Sequence, residues 1–286
     1  MFEKFLNLKG RLMSLEKPLV MGILNVTPDS FYAASRQQSE EAIRRRIEQI
    51  IYEGGTFIDV GGYSTRPDAA EVSEDEEWQR LKPALNILQR DFPDVPVSVD
   101  TFRPTIARRA IEDCGVALIN DISGGEVFFS VSDNDDDDAF LPLTGVPYIL
   151  MHIKGTPRTM HQNTSYEGDM LEEIMLFFAE KLRRLHLLGV NDVIIDPGFG
   201  FSKTVEQNYK LMSHIGDFKK MLNAPVLVGI SRKSMIYKVL GTTSDESLNG
   251  TTVLNTYALM QGADILRVHD VKAAVEAVKI IYKLKH

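Results

Sequence analysis

Three polar residues, each ending a short apolar run, could together bind a polar heterocycle. Asp100, Asn120 and Asp196 end the runs SVD, IND and IID. A buried carboxylate is costly unless it accepts hydrogen bonds, so such groups in one place suit a ligand that is rich in N–H donors. An aminopyrimidinone ring is a ligand of this kind. The alternative is that each residue caps a helix or pairs with a neighbouring Arg or Lys.

Arg267 and His269 could bind a diphosphate. They stand two residues apart in the motif RVHD, so a strand would present both side chains on one face. A permanent cation beside an imidazole can donate several hydrogen bonds to phosphate oxygens. The alternative is a histidine that caps a helix, next to an arginine with a structural role.

The segment GISRKSM, which begins at Gly229, could bind a second anionic group. It turns from an apolar run into a helical pattern at Lys233 and Ser234. The free N–H groups of a helix N-terminus bind carboxylates and phosphates well. The spacing G-x-x-x-x-G-K-S/T of a nucleotide-binding loop is absent, which excludes that interpretation. For Arg232 in the same segment, a surface ion pair is the alternative to binding an anion.

The spacing of the apolar runs predicts the fold. Eight runs recur at intervals of roughly 20 to 45 residues with helical patterns between them, as in an α/β protein. We therefore predict a single (β/α)₈ TIM barrel over residues 1–286, with a short N-terminal cap. Catalytic groups of such barrels lie where strands enter their following loops, which adds Asn25, Asp59 and His152 to the candidates. The runs are LVMGILNVTPDS, FIDVGGYSTRP, VPVSVDT, LINDISGG, YILMHIKGTP, VIIDPGFGF, PVLVGISRKS and ILRVHD.

Composition and charge narrow the function classes. The chain is 44% apolar and 25% charged, and its net charge of −8 argues against a nucleic-acid or membrane-surface partner. Cys114 is the only cysteine, which fits a reducing cytoplasm. No apolar run approaches the ~20 residues that span a bilayer. Nucleic acid and membrane are therefore not expected as partners.

Local signals predict several helix starts and one insertion. Ser39 is expected to cap one helix, Ser73 with Glu76 another, and Pro104 to stand in the first turn of a third. Residues 126–145 break the rhythm of the barrel. Their acidic run Asp133 to Asp138 lacks the ligand spacing of a calcium loop, so we predict a solvated surface insertion.

Other candidate residues are ambiguous when taken singly. His152 alone is better interpreted as a packed, hydrogen-bonded histidine than as a base. Met151 and Phe201 suit either the core or the two sides of a flat heterocycle, and Arg66 in the loop STRP suits an anion or solvent. Neither an HExxH motif nor a Cys/His cluster is present, so no zinc site is expected.

Taken together, these motifs resemble the dihydropteroate synthase family, the folate-pathway enzymes that sulfonamides target. The resemblance runs from residue 21 to 271, in the family's order and at its spacing. It is carried by MGILNVTPDSF, DVGGYSTRP, VSVDT, NDISGG, MHIKGTPRTM, DPGFGFSK, GISRKSM and RVHDV.

The resemblance implies a pterin pocket, a diphosphate site and a p-aminobenzoate site. Lys233, Arg267, His269 and Asp100 would be catalytic. Asn25 would hold a Mg²⁺ beside the diphosphate. The implied substrate-binding residues are Asp100, Asn120, Ile122, Met151, Asp196, Phe201, Gly229, Lys233, Thr65, Arg66, Pro67, Ser234, Arg267 and His269.

The family reaction condenses dihydropterin diphosphate with p-aminobenzoate and releases diphosphate, in an SN1-like process. The family is usually a homodimer formed through late helices, and residues 253–260 and 273–284 are apolar enough to serve. The chain departs from the family at residues 32–35, where an acid and glycines are lost. It has Tyr63 where the family often has Glu and Asp68 where it often has Gly, so the two loops are expected to differ in fine structure.

Two other functions compete with this one. A pterin-dependent methyltransferase barrel would share the pterin carboxylates but would not need the SRKS and RVH motifs. A non-catalytic pterin-binding paralogue would be expected to lose Lys233, Asp196 or Asn25, and all three are present.

Overall fold

The computed structural model contains ten strands in two sheets within its described residues. A small antiparallel hairpin precedes an eight-stranded parallel sheet. The strands are β1 Phe5–Leu8, β2 Arg11–Ser14, β3 Leu19–Asn25, β4 Phe57–Gly61, β5 Val97–Asp100, β6 Leu118–Asp121, β7 Tyr148–Met151, β8 Val193–Asp196, β9 Leu227–Val228 and β10 Ile265–Val268.

The parallel sheet closes on itself. Neighbouring strands follow the chain from β3 to β8, and β10 lies between β3 and β9. A single parallel bridge between Ile195 and Val226 joins β8 to the residues just before β9. The predicted barrel is therefore confirmed, and all eight strands point their carboxyl ends toward the same mouth.

Helices cover the outside of the barrel. Their apolar faces pack on the outward-facing residues of the strands, with Ile47, Leu81 and Phe178 fully buried. None of the helices in the described ranges is both long and apolar enough to cross a bilayer. They are α1 Arg36–Tyr52, α2 Glu74–Asp91, α3 Pro104–Cys114, α4 Glu126–Asn134, α5 Met170–Leu187, α6 Val205–Ser213, α7 Ile215–Leu222, α8 Ser234–Leu240, α9 Leu248–Met260 and α10 Val271–Lys285.

The hairpin closes the other end of the barrel, as the predicted N-terminal cap. Leu6, Leu8 and Leu15 are buried against an inner plug of apolar side chains that point into the barrel. The plug consists of Met21, Phe57, Leu118, Ile149, Ile194, Leu227 and Ile265.

The structure describes the chain except for several short stretches. The described residues are 5–27, 36–63, 72–134, 143, 145–156, 159–160 and 163–286. Several predicted residues lie outside these ranges: Ala33, Thr65, Arg66, Pro67, Asp68 and 135–138.

Two local predictions need correction. Helix α1 begins at Arg36, three residues before Ser39, so Ser39 is not its cap. The predicted insertion at 126–145 begins as helix α4, because Phe128 and Phe129 supply a buried face that packs on the barrel. Two other starts agree with the sequence: the Ser73 side chain accepts a hydrogen bond from the Glu76 N–H, and α3 begins at Pro104.

Candidate active site

The strands place polar side chains on the inner plug at the mouth of the barrel. Side chains alternate along a strand, so a residue two positions after a plug residue also points inward. Phe57 is followed in this way by Asp59, and Ile194 is followed by Asp196. Asp100, Asn120 and Arg267 take the same inward position on β5, β6 and β10. The predicted polar cluster is therefore brought together above an apolar floor.

Arg267 links two carboxylates at the centre of this cluster. Its Nε lies 2.6 Å from Asp59 Oδ2, and its Nη2 lies 2.6 Å from Asp100 Oδ2. The Asn120 side-chain amide also donates to Asp59 Oδ2, at 3.1 Å. Asp59, which is fully buried, received no role from the sequence beyond its place on a strand. The signal that could have found it is its inward register, two residues after Phe57.

Burial disfavours the charged forms of the two predicted pterin carboxylates. It raises the pKa of Asp100 to about 7, against the opposing effect of the Arg267 guanidinium, while Asp59 raises it further. Burial also raises the pKa of Asp196, which Lys233 and the Gly198 N–H lower. That N–H donates to Asp196 Oδ1 at 2.8 Å. A ligand that donates N–H groups to these oxygens would stabilise the carboxylates further.

Lys233 lies over the turn that follows β8. Its ammonium donates to the carbonyl of Phe199 and lies 4.5 Å from the centroid of the Phe201 ring. Burial lowers the pKa of Lys233 to about 8, and the negative charge of Asp196 opposes this effect. Lys233 is also the residue just before α8, so Ser234 opens that helix as predicted.

One side of the mouth is apolar. Three residues predicted to line the pterin, Ile122, Met151 and Phe201, fall in one cluster. The cluster also contains Phe102, Ile153 and Met160, which the sequence analysis did not single out. Across the mouth, a Cβ built on Gly229 would lie 3.7 Å from Asp196 Oδ2 and 3.9 Å from Arg267 Cβ. A larger side chain at Gly229 would therefore project between the polar groups.

His269 is exposed at the rim, where its neighbours orient the ring. Its backbone N–H donates to Ser231 Oγ at 3.1 Å, and the ring Nδ1 lies 3.2 Å from the same oxygen. Arg46 donates to the His269 carbonyl at 2.6 Å. Partial burial and the cation of Arg267 lower the pKa of His269, so the imidazole is neutral at pH 7. When the Ser231 hydroxyl donates to Nδ1, the ring proton is on Nε2 and is available to an anion.

Asn25 lies exposed at the end of β3, between the carboxyl ends of β4 and β10. Its amide oxygen is a ligand of the kind that Mg²⁺ accepts, and Mg²⁺ commonly takes one or two protein ligands and completes its shell with phosphates and water. Across the described part of the chain, no group of three His, Cys, Asp or Glu residues could hold a metal. The Asn25 amide oxygen is chemically suited to be one of the few protein ligands of a Mg²⁺ ion whose shell phosphate and water complete.

Two other candidates have structural roles, as the sequence favoured. The His152 ring is buried, packs edge-on against Phe177 and lies within hydrogen-bond distance of Lys203. Arg232 forms a bidentate pair with Asp270, at 2.9 and 2.8 Å. These two residues support the site from outside the mouth.

Comparison with known proteins agrees with the geometry. The Pterin binding enzyme family matches residues 21–269. A dihydropteroate synthase of Escherichia coli K12 is 41% identical over 275 residues, which cover 96% of this chain and 94% of the relative. The chain belongs to the dihydropteroate synthase family. This membership makes it an enzyme, and it favours neither the methyltransferase nor the non-catalytic alternative.

Solved structures of the dihydropteroate synthase family share the fold along the whole chain. A Yersinia pestis dihydropteroate synthase in complex with a sulfonamide drug aligns with a TM-score of 0.86 and 36% identity, covering 99% of both chains. A Thermus thermophilus dihydropteroate synthase in complex with 4-aminobenzoate aligns with a TM-score of 0.83 and 33% identity, covering 98% of this chain and all of that one.

Proposed function

We propose that this chain condenses 6-hydroxymethyl-7,8-dihydropterin diphosphate with p-aminobenzoate, giving 7,8-dihydropteroate and diphosphate in folate biosynthesis. The observation that carries the proposal is the cluster of Asp100, Asn120 and Asp196 at one mouth, flanked by the cations of Lys233 and Arg267. A pterin presents N–H donors along one edge and a flat apolar face, and this mouth offers acceptors beside an apolar wall.

The pterin edge would donate hydrogen bonds to Asp196 and Asp100, while its ring lies against Met151 and Phe201. Lys233 would donate to a ring acceptor, since its ammonium already points to the turn beside Asp196. When the diphosphate leaves, positive charge spreads from the methylene carbon over the pterin. The two carboxylates, held in place before the reaction, stabilise that charge.

The leaving diphosphate would lie at the rim, near His269 and Arg267. A neutral His269 would donate one hydrogen bond from Nε2. Arg267 Nη1, which has no partner among the described contacts, would donate a second. We infer that Asn25 would hold a Mg²⁺ there, which would neutralise charge on the departing diphosphate. The aniline nitrogen of p-aminobenzoate is neutral at pH 7, so its attack on the methylene cation needs no strong base.

The p-aminobenzoate carboxylate would bind near Ser234, with Thr65, Arg66 and Pro67 completing the site.

We also propose a homodimer through α9 and α10, because exposed apolar side chains recur along both helices. Val253 and Met260 on α9, and Ile280 and Leu284 on α10, are 58–75% exposed. Sedimentation velocity tests the dimer, and a monomer at micromolar concentration would contradict it.

The single free Cys114 is consistent with a cytoplasmic location.

The proposed reaction is tested by release of diphosphate. Release should require both dihydropterin diphosphate and p-aminobenzoate, and a pteroate product should form in equal amount. Release with the pterin substrate alone, at the same rate, would indicate a simple hydrolase and overturn the proposal.

His269→Ala should raise the Kd of the pterin diphosphate about tenfold while leaving the Kd of the bare pterin within twofold of wild type. The reason is that His269 lies at the rim and its ring makes no contact with the pterin carboxylates. Calorimetric titration with both ligands measures the difference. Ser231→Ala is the matched control for ring orientation and should show a smaller loss of the same kind. Equal losses for both ligands in His269→Ala would assign the histidine a structural role.

The pH dependence of kcat/KM should be bell-shaped, because it reports groups of the free enzyme. Burial raises the pKa of Asp100 to about 7, so protonation below pH 7 removes an acceptor and lowers kcat/KM. Burial lowers the pKa of Lys233 to about 8, so deprotonation above pH 8 removes a cation. Lys233→Arg should remove the part of the alkaline decline that Lys233 causes and leave the part due to Lys203, whose pKa burial lowers to about 7. A flat profile from pH 6 to 9 would contradict both assignments.

A further inference from the structure

A buried lysine lies beneath the turn that follows β8. The Lys203 side chain is 8% exposed, and its ammonium is 3.0 Å from each of three acceptors. These are His152 Nδ1 and the carbonyl oxygens of Gly198 and Phe201. An ammonium has three N–H donors, so every donor of Lys203 has an acceptor within this small region.

An apolar side chain would fill this space with less loss of solvation energy, because burying a cation is costly. Burial lowers the pKa of Lys203 to about 7, against the opposing charge of Asp196, and the positive charge of Lys233 lowers it further. Burial lowers the pKa of the His152 ring, and the charges of Lys203 and Lys154 lower it further. A buried amine with three hydrogen-bond partners around one turn points to a role beyond filling the core.

The turn that Lys203 holds carries several groups of the proposed pterin pocket. Asp196 precedes it and accepts the Gly198 N–H. The Phe199 carbonyl accepts from Lys233, whose ammonium also lies over the Phe201 ring. Along the chain, the Phe199 carbonyl that accepts from Lys233 therefore lies between the Gly198 and Phe201 carbonyls that accept from Lys203.

The turn is also pressed tightly against the end of β7. Gly198 has a φ of +73°, and a Cβ built there would lie 1.9 Å from the His152 carbonyl oxygen. The backbone contact of Gly198 and the ammonium of Lys203 therefore both hold the turn to His152. A shift of His152 or of Lys203 would move the turn relative to the barrel.

We propose that Lys203 is a positioning residue for the pterin pocket, holding the Gly198–Phe201 turn on His152 so that Asp196, Lys233 and Phe201 keep one geometry. The inference rests on the proposed function, because it names the pocket as the pterin site. Lys203 does not touch the substrate in this account. It acts through the carbonyls it binds.

The test compares Lys203→Met, which keeps the length but removes the donors, with Lys203→Arg, which keeps charge and donors. Lys210→Met is the matched control, since that exposed lysine pairs only with Asp169 at the surface among the described contacts. The Kd of 6-hydroxymethylpterin is measured by calorimetry, and steady-state kinetics follow. Lys203→Met should raise the pterin Kd at least about tenfold and leave the KM for p-aminobenzoate within twofold. Lys203→Arg should recover part of the loss.

A spectroscopic readout reports the contact itself. In wild type the ¹⁵N resonance of His152 Nδ1 should have the shift of an unprotonated nitrogen that accepts a strong hydrogen bond, and Lys203→Met should move it toward the free value. A pterin Kd equal to wild type in Lys203→Met, or an unchanged His152 resonance, would overturn the proposal. If Lys203→Met does not fold, the wild-type protein provides the test. Pterin binding should then shift the His152 resonances, and the absence of a shift would overturn the proposal.

These outcomes separate the inference from the proposed function. Failure of the wild-type protein to bind 6-hydroxymethylpterin would count against the pterin assignment. Wild-type binding that survives unchanged in Lys203→Met would count against Lys203 alone.

Discussion

Asp196→Ala should weaken binding of 6-hydroxymethylpterin by about 30- to 1000-fold, equivalent to ~2–4 kcal/mol, in a protein that remains folded. Asp196 is 6% exposed and ends β8 on the floor of the mouth, so its loss leaves the N–H donors of a bound ligand without an acceptor in a dry pocket. Calorimetric titration measures the Kd, and the melting temperature checks the fold.

Asp192→Ala is the matched control for Asp196. Asp192 precedes the same strand at the opposite end of the barrel, where the Asn7 N–H donates to it at 3.4 Å. It should bind the pterin as wild type does. Asp100→Ala should also lose affinity, although it removes a partner of Arg267 as well. Unchanged pterin affinity in both Asp196→Ala and Asp100→Ala would exclude this mouth as the pterin site.

Arg267→Ala should lower the free energy of unfolding by about 3 kcal/mol, because it removes the cation between two carboxylates. Asp59 is fully buried, and its Oδ2 would keep only the amide of Asn120 as a partner. Asp100 would lose its 2.6 Å contact as well. Because Arg267 supports Asp100, the variant should weaken binding of both the bare pterin and its diphosphate. Urea unfolding and calorimetry measure the two effects.

A second substitution tests the cause of this loss. Asp59→Asn in the Arg267→Ala background removes one unpaired charge, so it should recover at least about 1 kcal/mol of stability. Arg90→Ala removes an arginine whose pair with Asp91 is on the surface, and it should unfold close to wild type. If Arg267→Ala were as stable as wild type, the pairing with Asp59 would not contribute to the fold.

The resolved pairing of Arg267 changes how its predicted role is understood. The sequence analysis assigned it to the diphosphate, with structural pairing as the alternative. In the structure the same guanidinium joins Asp59 to Asp100, and its Nη1 group has no partner among the described contacts. In the proposed reaction its contribution would therefore be coupled to the pocket, whereas that of His269 would be confined to the rim.

The barrel and the position of the mouth followed from the sequence for a simple reason. A parallel strand joined to the next by a helix must point the same way, so the polar residues that end eight apolar runs must meet at one mouth. The predicted residues that the structure describes lie at that end of the strands, except that His152 is buried against Phe177 outside the mouth. Local signals were weaker: α1 begins before Ser39, and α4 forms within the supposed insertion, because packing of Phe128 and Phe129 outweighs the acidic composition nearby.

Partners and protonation states depended on the folded protein. Arg267 is separated from Asp59 by 208 residues, and Lys203 from His152 by 51, so no local pattern relates either pair. The register between strands determines which side chains meet in the barrel, and burial determines how strongly each pKa shifts. For that reason the residue types at the mouth could be predicted from their order along the chain, while the Asp59–Arg267–Asp100 bridge and the lysine beneath the turn became visible only when the strands were assembled.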